Sequence, residues 1–171
     1  EISPRQGTVV ADFHRNGTLD ILVSIMSYNG GQLPREEIRS ILEIRGVLMA
    51  FALESAIPRM TREQIDELGA QSEAFARAKS AEEAAQLIYE FDHMLSGFSG
   101  NTLLPLFFCS FRTPIQELWK RYVSRNGVAI LKNRNDELLE CVARGDAAAA
   151  KRVIAGSIAE TISGRTEIYG G

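Results

Sequence analysis

Residues 91–101 read Phe-Asp-His-Met-Leu-Ser-Gly-Phe-Ser-Gly-Asn, and this stretch ends one apolar helix and opens another. Leu87, Ile88, Phe91, Met94, Leu95 and Phe98 recur at helical spacing, which gives the first helix a core face with Asp92 beside it. Gly97 and Gly100 sit poorly in mid-helix, so both are expected to loosen the chain where Asn101 caps the next run, Thr102 to Phe108. Two helices therefore cross at a buried corner that has polar groups inside it.

On the N-terminal side of that corner, residues 1 to about 13 read as extended: Gly7 to Phe13 follows Pro4, carries β-branched residues and has no helical period. No second strand offers itself as a partner. Leu19, Leu22, Val23 and Met26 then mark a short helix ended by Asn29-Gly30-Gly31. Pro34 suits the first turn of a longer helix with Ile38, Ile41, Leu42, Arg45, Leu48, Met49 and Ala52 on one face, stopped by Pro58.

Thr61 with Gln64, and Ser80 with Glu83, have the spacing of capping boxes, so each pair opens a helix. Beyond the corner, Asn101 to about Val123 reads as one helix bent or broken by Pro114, and Asn126-Gly127 as a turn. Two further helices flank Gly145-Asp146, a stop followed by a cap. The expected fold is all-α: about seven helices in an antiparallel bundle, preceded by a short extended arm.

Composition limits the function classes. With 171 residues, 45% hydrophobic and 24% charged, the chain has the make-up of one globular domain with a real core. The longest apolar run, Leu103 to Phe111, is interrupted by Pro105 and Ser110 and falls short of the ~20 residues a membrane span needs. The net charge of −3, with no basic stripe, is not that of a nucleic-acid binder. Cys109 and Cys141 lack metal-ligand or CxxC spacing and read as buried free thiols of a reducing cytoplasm.

Catalytic markings are thin. His14 and His93 are the only histidines, both expected to face solvent, and no GxSxG, Walker-type loop or HExxH is present. Arg45 stands out because it lies in the middle of an inward helical face, where a guanidinium needs an anionic partner. Asp92 or Glu90 could supply it, or the carboxylate or phosphate of a ligand. Asp92, Asn101, Arg112, Asn135 and Ser157 are further polar residues on or beside apolar faces of different helices; if they converge they make a polar pocket. Phe107, Phe108 and Phe111 read as core first and as the wall of a lipid-chain tunnel second.

The order Leu42-Glu43-Ile44-Arg45, then Phe91-Asp92-x-x-Leu95-(x)5-Asn101, then Cys141-Val142-x-x-Gly145-Asp146 with Ala150 resembles the C-terminal effector domain of GntR-superfamily transcription regulators, FadR subfamily. The resemblance covers residues 16 to about 163. It implies an effector-binding and dimerisation domain over 16–171, and makes 1–15 an arm in which Gln6 to Val10 resembles the last wing strand of a winged helix-turn-helix domain missing ahead of Glu1. DNA would then be contacted only through that missing domain, in a cytoplasmic homodimer with no membrane partner and no enzyme activity.

Many members of that subfamily hold a divalent metal, and the resemblance places its ligands at Ile88, Asp92, Asn135 and Ser157, three of which are poor metal ligands. The expectation is therefore a pocket without metal or other cofactor. Lack of the histidine set resembles the acyl-CoA-responsive branch, in which Gly156 would let a bulky ligand approach the last helix, or simply allow close helix packing. The resemblance favours a long-chain acyl-CoA, a fatty acid or a related apolar organic acid as effector, with small organic acids as the main rival and a metal-dependent small-carboxylate sensor of the same superfamily as the alternative; the residues expected to bind it are Arg45, Asp92, Asn101, Phe108, Arg112, Asn135, Gly156 and Ser157. An enzyme using Asp92 and His93, or a ligand-free interaction bundle with a structural Arg45–Asp92 pair, are the competing classes. An enclosed cavity on the order of several hundred Å³ beside Arg45 favours the sensor; a solid core there favours the interaction bundle.

Overall fold

A computed structural model of the chain describes residues 2–3, 7–8, 17–18, 20–29, 32–166 and 168–169. The fold is all-α. Its helices are α1 (Asp20–Tyr28), α2 (Arg35–Ala56), α3 (Arg62–Phe75), α4 (Ala81–Phe98), α5 (Leu104–Ser110), α6 (Arg112–Asn126), α7 (Val128–Ala143) and α8 (Ala147–Ile162), with a 3-10 turn over Ile57–Arg59 after α2. That makes eight α-helices among the described residues, where about seven were expected. The additional one arises because the run 101–123 breaks at Phe111, ahead of Pro114, into α5 and α6.

The helix starts follow the local chemistry. Thr61 accepts from the Gln64 N–H while the Gln64 side chain accepts from the Thr61 N–H, a complete capping box. Ser80 accepts from the Glu83 N–H, but the Glu83 carboxylate returns to the Lys79 N–H at 2.7 Å, one residue before the cap. Gly145, at φ 71°, ends α7, and Asp146 caps α8 through the Ala149 N–H.

Three local expectations change. Gly97 lies inside α4, which continues to Phe98, so Gly100 alone carries the left-handed break, at φ 73°. The expected extended arm lies mostly outside the described residues, as does His14; within it Ile2–Ser3 pairs antiparallel with Gly7–Thr8, so that strand does have a partner. Cys141 is buried, whereas Cys109 is exposed on the outer face of α5.

α4 forms the middle of the bundle, packing on α2, α3, α5 and α6, while α8 packs on α2 and α7. Met49, Ala52, Leu53, Leu68 and Leu95 are fully buried between these helices. α2 approaches α8 so closely at Gly46 that a Cβ there would lie 2.9 Å from Ile158 Cδ1. No described helix is long and apolar enough to cross a membrane.

Gly100 also admits Arg59, whose Nη1 donates to the Ser99 carbonyl at 3.0 Å where a Cβ on Gly100 would collide with it. Gly100→Ala should lower the unfolding free energy by about 1–2 kcal/mol, the cost of a left-handed non-glycine residue. Gly69→Ala, in mid-helix with open space around it, should raise it by about 0.5–1 kcal/mol. Urea denaturation of the two variants measures both.

Candidate functional site

Residues of six helices, α2, α3, α4, α6, α7 and α8, line the space around Arg45. Its Nε donates to one Asp92 carboxylate oxygen at 2.9 Å and its Nη2 to the other at 3.0 Å, a two-pronged pair between α2 and α4. Both side chains are buried, Arg45 at 7% and Asp92 at 2% exposure, so each depends on the other for its charge balance. Glu90, the other partner considered, is instead held by Gln71 and Gln86. Trp119 of α6 covers the guanidinium, its ring centroid 4.8 Å from Cζ. Burial pushes the Asp92 carboxyl above the ordinary aspartate range, while Arg45 opposes that shift through charge and hydrogen bonds.

Against this pair lies a cavity of about 40 Å³, far short of the several hundred Å³ expected of a sensor, though not the solid core expected of an interaction bundle. Its polar lining comes from Arg45, Asp92, Trp119, Arg134, Asn135 and Ser157, and its apolar lining includes Phe75, Ile88 and Leu138. Two of the polar groups are orphaned: Asn135 Nδ2 and Trp119 Nε1 are buried without a hydrogen-bond partner. Buried donors in that state cost about 1–3 kcal/mol each.

Arg134 was not among the expected site residues. From α7 its Nη1 donates to Tyr122 Oη at 2.6 Å and Ser157 Oγ at 3.2 Å, and its Nη2 to Glu160 Oε2 at 2.5 Å. On the far side of Arg134 an open groove of about 510 Å³ runs between α7 and α8, lined also by Glu140, Arg144, Arg152 and Gly156. Its neighbours Asn133, Asn135 and Asp136 make a polar run that reads as a solvated face, which hides it; a cation three residues from the apolar Leu131, on the side shared with Leu138, is the signal that was there.

Of the expected ligand-binding residues, Arg45, Asp92, Asn135 and Ser157 come together around the cavity. The other four do not. Asn101 is exposed and its Oδ1 is occupied as a cap, accepting from the N–H groups of Leu103 at 2.9 Å and Leu104 at 3.0 Å. Phe108 is buried in solid core against Ile41, Leu48 and Ile115, with no internal space beside it, and Phe107 is exposed, so no lipid tunnel forms there. Arg112 lies on the surface, its guanidinium 5.3 Å from the Tyr89 ring and bonded to Gln86. Gly156 faces the outer groove, with no atom where its Cβ would be, so neither close helix packing nor the cavity accounts for it.

The four positions at which the resemblance placed metal ligands, Ile88, Asp92, Asn135 and Ser157, do line the same space. Their chemistry does not fit a metal: one is aliphatic, one an amide, one a hydroxyl, and the single carboxylate is already engaged by Arg45. Among the described residues no three His, Cys, Asp or Glu side chains gather in a metal-binding group.

His93 is half-buried rather than solvated; it stacks on Tyr89 and its Nε2 lies 3.5 Å from Cys109 Sγ. This brings a thiol and an imidazole together, but neither lines the cavity. Tyr89, whose hydroxyl is 3.8 Å from the same sulfur, has its phenol pushed up to about 12 by burial and by Cys109.

A family model described as FCD domain matches residues 40–160. The match spans α3 to α7 whole, with most of α2 and α8, and so takes in Arg45, Asp92, Arg134, Asn135 and Ser157. No curated protein matches the chain.

Removing one member of the buried pair should be far worse than removing both. Asp92→Ala leaves the Arg45 guanidinium buried and unpaired, and should lower stability by about 3–5 kcal/mol. The double variant Arg45→Met with Asp92→Leu should lose much less, about 1 kcal/mol or none. A double-mutant cycle from guanidinium denaturation gives the difference.

Proposed function

The chain belongs to the FCD domain family, the effector-binding domains of GntR-superfamily transcription regulators, and on that premise we propose that its effector occupies the cavity beside Arg45 and Asp92. The observation that carries this reading is that two residues lining one small space, Asn135 and Trp119, each hold a buried N–H, Nδ2 and Nε1, without a hydrogen-bond partner. A solid interaction bundle has no use for them. Two desolvated N–H groups beside a buried ion pair lose stability until an acceptor arrives.

The size of the cavity selects the effector. At about 40 Å³ it is far below the roughly 300–1,000 Å³ of drug-sized pockets, so it admits a group the size of a carboxylate with a short carbon stem. Of the acids implied by the resemblance, a small organic acid fits this arrangement; an acyl-CoA or fatty acid requires the helices to part, since Phe108 and Phe111 leave no channel. No metal takes part in this reading, because Asp92 is the one carboxylate on the cavity among the described residues and Arg45 holds it.

The guest's space is lined by α2, α3, α4, α6, α7 and α8 at once. Its binding favours whichever packing of these helices presents the acceptor-satisfying geometry, and that preference is the signal. The signal passes to a DNA-binding domain ahead of residue 16, in a cytoplasmic homodimer, because a domain with net charge −3 and no basic stripe does not itself hold DNA. The working role is binding without turnover.

Thermal-shift measurements with acetate, propionate, succinate, citrate, decanoate and decanoyl-CoA, each with and without Ni²⁺, test this. A short acid should raise the melting temperature without metal, by an amount corresponding to about 2.7 kcal/mol at a hundred times its Kd. Asn135→Leu should abolish that shift without lowering the melting temperature of the free protein, because an unsatisfied buried amide is replaced by hydrocarbon. Stabilisation confined to decanoyl-CoA, or produced by Ni²⁺ alone, would refute the small-acid reading.

A further inference from the structure

Resting on the reading of the cavity as an effector site, we propose that Arg134 is the residue that receives the effector's carboxylate, and that Glu160 is the counter-ion this carboxylate displaces.

Charge decides which residue does this. Among the described residues three charged side chains line the cavity: Arg45, Asp92 and Arg134. The first two cancel, because the Arg45 fork is closed on both oxygens of Asp92 inside the bundle. Bringing a second carboxylate to Arg45 would set two like charges against one guanidinium in a water-poor space. Arg134 is then the one uncompensated charge from the cavity's side. Its own partner, Glu160, stands on the groove side with 43% of its side chain exposed, so water can take over Glu160 when it is released.

Geometry gives the route. Arg134, Val153 and Ser157 are the only residues common to the cavity and the groove between α7 and α8, so these three side chains form the wall between them. Val153 is inert. Arg134 and Ser157 are bonded to each other across that wall at 3.2 Å. An acid arriving along the groove meets the guanidinium at the wall, exchanges with Glu160 on Nη2, and draws the head of Arg134 inward. Tyr122, whose hydroxyl accepts from Nη1 at 2.6 Å and whose ring centroid lies 5.8 Å from Cζ, is the pivot that stays in place.

Inside, the arrangement suits a carboxylate better than a neutral group. Asn135 Nδ2 and Trp119 Nε1 are donors only and lack partners. Ser157, which accepts from Arg134, keeps a hydroxyl proton to donate. A guanidinium and three donors match the lone pairs of one carboxylate, whereas an amide of the same shape carries no charge to pair with the guanidinium.

Trp119 is the only tryptophan in the chain, so its emission reports directly on the cavity. Titrating the 171-residue chain with acetate and with succinate, against acetamide and succinamide, should show saturable emission changes for an acid and none for its amide. Arg134→Gln should weaken acid binding by roughly tenfold to a hundredfold, the range of a lost charge-assisted hydrogen bond. Glu160→Gln, which removes the competing charge and keeps a polar partner, should tighten it several-fold. It is a surface substitution, so it decides the matter even if Arg134→Gln fails to fold. If an acid binds the unaltered protein but its affinity is the same in both variants, the Arg134 exchange is wrong and the effector site stands. If neither acid changes Trp119 emission, the carboxylate assignment falls, and with it the small-acid reading of the cavity.

Discussion

Arg45 carries a permanent charge into the bundle, and its carboxylate partner comes from a helix 47 residues further along the chain. Water cannot serve as a substitute at that depth, so α2 and α4 must dock in the register that brings Asp92 under the guanidinium. α6 follows, because Trp119 covers the remaining face of Arg45. Three helices are thus fixed by one buried charge. The desolvation of both ions consumes most of what their attraction returns, so the pair contributes registration more than net stability, and the apolar contacts of Met49, Leu53 and Leu95 beside it supply the latter.

That pairing has chemical consequences on both sides. Asp92 with both oxygens on Arg45 is no longer a metal ligand, and Asn135, Ser157 and Ile88 do not replace it. Arg45 with its fork closed is no longer the natural receptor for a ligand anion. The positive charge and the hydrogen-bond donors available to a guest therefore come from α6 and α7, through Trp119, Arg134 and Asn135. On the proposed assignment the ligand's charge is met from α7, by Arg134, and not by the buried arginine of α2.

Much of the fold was legible because it is written locally. Thr61 with Gln64, Ser80 with Glu83, and Gly145 with Asp146 sit where the helices start and stop, since capping depends on residues three apart. The break at Phe111 was not legible: Pro114 marks a disturbance, but the helix parts three residues earlier, where α5 has to turn to keep Phe108 and Phe111 in the core. At the site, Arg45, Asp92, Asn135 and Ser157 were found because a polar residue on an apolar face has no local explanation. Asn101 and Arg112 misled for the opposite reason: capping and the Tyr89 ring already account for them. Trp119 passed unnoticed because its stem is ordinary core, and only the burial of its N–H without an acceptor gives it away.

A guest this small sets a strict condition on how the domain signals. Reversing a two-state population from 1:99 to 99:1 takes about 5.5 kcal/mol of differential affinity. The best small ligands contribute about 1.5 kcal/mol per heavy atom, so an acid with four or five heavy atoms has about 6–7.5 kcal/mol in all. Nearly all of its binding energy must then discriminate between the two packings, and little can be spent on contacts present in both. Contacts to orphaned donors meet that condition, since Asn135 Nδ2 and Trp119 Nε1 are unsatisfied until the guest is seated. An exchange at Arg134 meets it as well: the guanidinium is bonded to Glu160 in one state and to the guest in the other, and the change moves a link between α7 and α8. A cavity pre-shaped for snug apolar contact would bind a small acid equally in both packings and transmit nothing.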